Sequence, residues 1–287
     1  MALDFPANPA ISDVYTNASA ARSWQWDGES WNFLATTPAS GETVVRTFNG
    51  APYWWNGTTW ELLAADASFA NVSVLIRGDS FGVNSFADLS GNGTHARPTT
   101  SGAAAGSALN ASGKFGGPCV ASNSNTQGMG LRTSVVTPML GAGDSTTEGW
   151  FYFTTNGINR VLFDFRPTDT VTPGPFLLVS TGNVLRYLST GASFDITGAT
   201  TLALNAWHHI HMTQASGTVY LGLDGAQEGS DLIETNDFSA ARNLIVGQQS
   251  VNIAAGQIVG RFEHVRVSRV ARYARTYTVP TKPFADY

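Results

Sequence analysis

The sequence predicts an all-β fold: a sandwich of two antiparallel sheets preceded by small β-hairpins. Three observations carry this. Apolar and polar residues alternate over many short runs, from residues 72–76 to residues 262–267. No window sustains a 3.6-residue apolar period, which argues against long helices. Charged residues make up only 13% of the 287 positions while glycine fills 30, a composition suited to short strands joined by polar turns.

In chain order, an ungapped internal repeat comes first. Residues 23–34 lie over residues 52–63, so that Trp24, Trp26 and Trp31 fall on Tyr53, Trp55 and Trp60. The two units span roughly residues 6–63. Asp27-Gly28 and Asn56-Gly57 are hairpin signals, because a type I′ turn needs positive φ at both central positions. A two-residue turn sets Trp24 opposite Trp31 with Trp26 on the same face, whereas a four-residue loop pairs Trp26 with Trp31. Local sequence admits both. The three aromatics of each unit form the core of a small β unit, or a platform for sugars or a partner protein. An isolated hairpin is marginal in water, so each unit must pack on its twin, on another subunit or on a larger particle.

The repeats resemble the short Trp-Asp-Gly-x-x-Trp modules at the N-termini of tailed-phage virion proteins, which often follow a Phe-Pro-x-x-Pro segment like residues 5–9 here. The resemblance implies that residues 1–66 anchor or oligomerise the chain on other virion proteins, of capsid or tail. It also implies a location on the virion after assembly in the host cytoplasm.

Residues 64–70 read as a polar linker. Strand signals follow at 72–76, 149–154, 160–165, 176–180, 184–188, 244–246 and 262–267. The clearest is 202–225, where alternation at 207–213 and 219–223 flanks a glycine-containing turn and ends on Asp224-Gly225. Many short strands with no helices between them make a two-sheet sandwich or jelly roll. Several ordered pieces then resemble laminin-G-like, concanavalin A-like jelly-roll domains. They include Asp88-Leu89-Ser90-Gly91-Asn92-Gly93, Lys114-Phe115-Gly116-Gly117, Trp207-His208-His209-Ile210, and the run from Gly260 through Phe262-Glu263-His264 to Val267. The resemblance assigns residues 67–287 to such a domain. Lectins, adhesins, lyases and glycosidases all use this sandwich, so the site needs its own argument.

Composition narrows the partners. A net charge of −5 without a basic cluster argues against nucleic acid. Cys119 is the only cysteine, so an intrachain disulfide is impossible. The first residues show neither a basic n-region nor an apolar h-region, and a chain without a secretory signal is expected. No apolar run approaches the ~20 residues of a membrane span, so no membrane insertion is expected.

His208, His209 and His211 look like a metal cluster. On a strand, however, His209 and His211 share a face with Trp207 while His208 points the other way with Ile210 and Met212. Zinc needs three or four converging ligands, and these histidines read as packed or surface scaffold. The better metal candidate is calcium at Asp79, Asp88, Asn92 and Glu263. Asp88-x-Ser-Gly-Asn-Gly is an oxygen-rich loop, and Ca²⁺ takes six to eight hard oxygens. In related jelly rolls an acid at the first strand end, this loop and a late acid meet around calcium, although the late acid is usually Asp rather than Glu. The competing reading is an Asx-turn. Arg77-Gly78-Asp79 spells a short adhesion tripeptide that three residues match by chance.

No catalytic residues are assigned. A sandwich glycosidase needs two carboxylates flanking one bond. In the nearest run, 228–234, Glu228 and Asp231 would fall on opposite faces of a strand, and a loop is the favoured reading. The expectation is a non-enzymatic structural protein of a tailed-phage virion, a capsid decoration or fibre component. Its lectin-like domain would bind host or environmental glycans, and a homo-oligomer, by guess a trimer, would display it. The alternatives are a glycan-cleaving tailspike-type enzyme and a bacterial surface lectin module.

Overall fold

The computed structural model describes residues 14–17, 22–26, 29, 31–36, 45–48, 51–56, 58–63, 65–77, 88–92, 96–100, 109–110, 113–122, 129–133, 139–140, 143–166, 174–189, 195–240, 242–249 and 256–285. The protein is all-β. Its described helical content is one turn of 3-10 helix at Phe69–Asn71, and no described helix is long and apolar enough to cross a membrane.

Each sequence repeat folds as a three-stranded antiparallel meander. The first comprises β1 (Val14–Asn17), β2 (Arg22–Trp26) and β3 (Trp31–Thr36). The second comprises β4 (Val45–Phe48), β5 (Ala51–Trp55) and β6 (Trp60–Leu62). In both, the loop holds four residues, because Trp26 pairs with Trp31 and Trp55 with Trp60. The two-residue turn is thereby excluded, and Asn56 shows why. Its Oδ1 accepts the backbone N–H groups of Thr58 and Thr59, each at 2.9 Å, and closes the wider loop. The indole pairs match closely: ring centroids are 5.7 Å apart for Trp26–Trp31 and 5.6 Å for Trp55–Trp60. Trp24, Tyr53, Trp55 and Trp60 are buried, while Trp26 and Trp31 are half-buried.

Fifteen described strands follow: β7 (Val72–Ile76), β8 (Ala96–Thr100), β9 (Leu109–Asn110), β10 (Cys119–Ser122), β11 (Met129–Thr133), β12 (Ser145–Phe153), β13 (Arg160–Asp164), β14 (Phe176–Val179), β15 (Leu185–Leu188), β16 (Ile196–Thr197), β17 (Trp207–Ala215), β18 (Thr218–Leu223), β19 (Ala226–Ile233), β20 (Ile245–Val246) and β21 (Gly260–Ser268). They form a jelly-roll sandwich. One sheet runs β19-β18-β17-β12-β21-β10-β9, with β7 also on β21, and the other runs β16-β15-β14-β13-β20-β11-β8. Every described pairing is antiparallel.

The core lies between the sheets. Phe151, Phe153, Ile210 and Leu221 from the first meet Phe163, Leu177, Val179 and Tyr187 from the second. Each such side chain contributes ~1.5–3 kcal/mol on removal from water, which makes this layer the main source of stability.

The hairpin singled out in the sequence is β17–β18. Its turn, Ser216-Gly217, has φ of 49° and 77°, and Asp224-Gly225 repeats the geometry at 48° and 98°. Both connections are therefore of the I′ kind that matches strand twist. The second turn leads directly into β19, so residues 228–233 are an edge strand and not the expected loop. Gly229, at φ 70°, carries the irregularity in that strand.

The second meander is tied to the sandwich. The Trp54 ring meets Phe115 edge-on at 5.9 Å, and Lys282 Nζ lies 2.8 Å from Glu61 Oε2. The linker is equally committed: Asp66 takes ion pairs from Arg266 and Arg272, both at 2.9 Å.

Candidate functional site

Alternation and register sort the side chains of β17, β12 and β21 into rows on the outer face of the larger sheet. The first row is His211, Glu148 and Arg266, the second His209, Trp150 and Glu263, and the third Trp207, Tyr152 and Arg261. A bulge on β21 between the first two rows places His264 at φ 53°.

The first row is an ion-pair network with no open side. Glu148 is fully buried and accepts from Arg266 at 2.8 Å, from His209 Nε2 at 3.1 Å and from the Tyr273 hydroxyl. Burial alone would raise its carboxyl, but the Arg266 charge and the His209 hydrogen bond outweigh burial and hold it well below the usual range. Tyr273 arrives on the C-terminal segment, residues 269–285, which lies across the first two rows. There Tyr277 reaches His209 Nδ1 at 3.0 Å, Phe284 stacks under Arg266 at 4.0 Å, and the Tyr220 hydroxyl donates to the Tyr273 carbonyl at 2.5 Å. A carboxylate so enclosed has no route to a substrate proton. It fastens linker, sheet and C-terminal segment together.

The histidines divide as alternation requires. His209 and His211 lie in this network, and His208 lies on the opposite face, held by Asp224 at 2.6 Å and the Ala203 carbonyl at 2.9 Å. Burial and the neighbouring His209 push His211 down to about 3.

The calcium candidates do not assemble into a cage among the described residues. Asp88 Oδ1 accepts the N–H of Leu75 and of Ser90, each at 2.9 Å, and Oδ2 accepts the Ser90 hydroxyl at 2.8 Å. That is the Asx-turn arrangement. Asn92 turns its amide nitrogen, not its oxygen, toward the Val72 carbonyl at 3.0 Å. Glu263 lies in the second row, where its Oε1 takes the Phe115 N–H at 3.3 Å and its Oε2 packs against Gly113. Asp79 lies outside the described residues. Among the described residues no three His, Cys, Asp or Glu side chains are grouped to hold a metal ion.

The carboxylates of 228–234 are also committed. Glu228 Oε2 accepts from the backbone of Ala199 and Thr200, both at 2.9 Å, and Glu234 accepts from Asn236 and from the Tyr187 hydroxyl.

The third row differs from the others because it is reachable from solvent. Trp207, Tyr152 and Arg261 are all half-buried. The Tyr152 and Trp207 rings lie 5.6 Å apart at 58°, and the Arg261 guanidinium stands 4.6 Å from the Tyr152 ring centre. Nothing in the sequence reading grouped Trp207, Tyr152 and Arg261. The signal was available only through register, since positions 152, 207 and 261 share no local motif.

A family model for the concanavalin A-like lectin/glucanases superfamily matches residues 124–276. The chain belongs to this superfamily. Solved structures share the fold at low identity. Domain 4 of AbnA, a GH43 extracellular arabinanase from Geobacillus stearothermophilus solved with arabinotriose, has a TM-score of 0.53 at 17% identity, covering 70% of this chain and 93% of that one. The receptor binding domain of botulinum neurotoxin D has a TM-score of 0.52 at 11% identity, covering 72% and 51%. A mutant Trypanosoma rangeli sialidase displaying trans-sialidase activity has a TM-score of 0.50 at 11% identity, covering 88% and 46%. The chain thus spans about half the length of the neurotoxin domain. No curated protein matches it by sequence.

Proposed function

We propose that the chain is a non-enzymatic structural component of a tailed-phage particle, a capsid decoration or fibre protein that displays a lectin-like domain to bind glycans. The observation that carries this reading is the coupling of two parts. The second of two tryptophan repeats that resemble those of virion proteins is fastened, with the linker after it, to a superfamily sandwich through Trp54–Phe115, Glu61–Lys282 and Asp66. Such an attachment transmits position: a repeat held on the particle holds the sandwich outward. Many copies would then turn weak single-site sugar binding into firm attachment. The arabinotriose complex of the arabinanase domain supports the glycan half of the reading at the level of fold.

Four of the described carboxylates support the non-enzymatic part. Glu148, Glu228, Glu234 and Glu263 are buried, and each accepts protein donors. Glycoside hydrolysis needs two that face one scissile bond.

Mass spectrometry of purified particles encoded alongside this chain tests the particle role, and finding the chain is the expected result. Its absence from every particle fraction removes that role. Release of new reducing ends from polysaccharides would replace the non-enzymatic reading with the tailspike one.

A further inference from the structure

We propose that Asn156-Gly157, in the loop between β12 and β13, is a self-modification site, where Asn156 closes a succinimide on Gly157 and opens to aspartate and isoaspartate. The charge so created lands beside Arg160, a buried cation that no described carboxylate neutralises.

The chemistry needs only the chain and water. The Gly157 amide nitrogen gives up its proton and attacks the side-chain carbonyl carbon of Asn156. A C–N bond forms and closes the ring, and the C–NH2 bond breaks as ammonia leaves with that proton. Water then opens the ring. Attack at the side-chain carbonyl gives aspartate, and attack at the backbone carbonyl leaves the chain linked through the side chain as isoaspartate. Nothing is oxidised or reduced.

Four Asn-Gly pairs occur in the chain, at 49–50, 56–57, 92–93 and 156–157. The first lies outside the described residues. In the next two the asparagine amide is held. Asn56 accepts the N–H groups of Thr58 and Thr59 and donates to the Glu61 carboxylate. Asn92 donates to the Val72 carbonyl and the Ser90 hydroxyl, both at 3.0 Å. An amide fixed in this way does not swing over the following backbone nitrogen. Asn156 and Gly157 are different: both are exposed, and neither the Asn156 amide nor the Gly157 N–H has a hydrogen-bond partner among the described residues. Gly157 has φ 76°, and a Cβ built on it would meet nothing within 4 Å, so the attacking nitrogen stands in open space. The loop is anchored only at its ends. Thr154 N–H donates to the Val259 carbonyl and Asn159 Oδ1 accepts the Thr181 N–H, each at 3.1 Å. Ring closure at its middle therefore needs no opening of the sandwich.

Arg160 supplies the electrostatics. Its Nη1 donates to the Thr155 carbonyl, one residue before Asn156, its Nη2 donates to Asn183 Oδ1, and its Nε faces no acceptor. Burial works against its charge with no acid to offset it. A cation held on the neighbouring peptide group favours the negative charge that develops during ring closure, and afterwards attracts the new carboxylate.

The test is peptide mapping by mass spectrometry of the full chain aged in mildly alkaline buffer, with isoaspartyl methyltransferase labelling to mark isoaspartate. In the folded chain Asn156 should convert at least ten-fold faster than Asn56 and Asn92. In urea the three should convert within a few-fold of one another, which ties the selectivity to the fold. Asn156→Gln should remove the isoaspartate signal from that peptide. Equal rates in the folded chain overturn the site, and the same ranking persisting in urea overturns its structural basis. Asn156→Asp, a stand-in for one product, should raise the melting temperature, and an Arg160→Met background should cancel the gain. An unchanged or lowered melting temperature in Asn156→Asp overturns the part given to Arg160.

Discussion

Gly222 lies directly across the β17–β18 ladder from His211, and a methyl group built on it would stand 2.0 Å from His211 Nε2. The ring cannot retreat: it stacks on Tyr273 at 4.7 Å and meets Tyr277 edge-on at 4.7 Å. Gly222→Ala therefore has to displace the C-terminal segment, at a cost of about 1–3 kcal/mol. His211→Ala in the same chain should recover most of that loss. A double-mutant cycle in urea measures the coupling directly.

Glu148→Gln takes one carboxylate from the buried Arg266 and leaves it the Asp66 pair. Breaking a buried pair costs about 3–5 kcal/mol when the surviving charge is left uncompensated, and the remaining Asp66 pair should hold the loss toward the lower end of that range. The double variant Glu148→Gln, Arg266→Met should be less damaged than Glu148→Gln alone. Chemical denaturation monitored by tryptophan fluorescence reads both.

Acid should unfold the protein in two stages. His211 is pushed down to about 3 by burial and His209, and His264 is held well below its ordinary value by burial, Arg77 and Arg266. Once unfolded, both take up protons below about pH 6.5 that the fold refuses, so stability falls as pH drops through that range. Glu148 and Asp66 are held low by their arginine partners against burial, so their contribution is present above their unfolded values and is lost as pH falls below about 4.5. His208 acts in the opposite sense: burial lowers it, but Asp224 raises it further. Its contribution is present at low pH and fades as pH rises through the raised value. The melting temperature should fall from about pH 6.5 downward, and His211→Gln should soften the first part of that fall.

Trp54→Ala should loosen the second meander from the sandwich. The edge-on pair with Phe115 is worth about 0.5–1.5 kcal/mol beyond its buried area. Limited proteolysis is the measurement: the variant should be cut in residues 64–70 faster than the parent, while the sandwich fragment survives.

Much of the fold was legible because β strands announce themselves locally. Residues 207–223 alternate cleanly, and their turn residues demand positive φ, so β17–β18 was predictable to its closing pair. The repeat was legible too, but its loop length was not. Asn56 competes with the backbone for the turn, and a local pattern does not reveal which wins. Residues 228–233 are polar enough to read as a loop, and they form a strand because an I′ turn at Asp224-Gly225 delivers them to the sheet edge. The site was the least legible part. Glu148 and Arg266 meet across 118 positions of sequence, and Trp207, Tyr152 and Arg261 align only once three strands are in register. Asp88 shows the reverse case, since an oxygen-rich loop read as a calcium ligand set serves its own backbone.

The most direct test of the central claim is electron microscopy of intact, unpermeabilised phage particles with a gold-labelled antibody against residues 67–287. Label is expected on the outer surface, and deletion of residues 1–66 from the encoded chain should remove it. Intact particles that contain the chain but stay unlabelled, or label that persists without the tryptophan repeats, would contradict it.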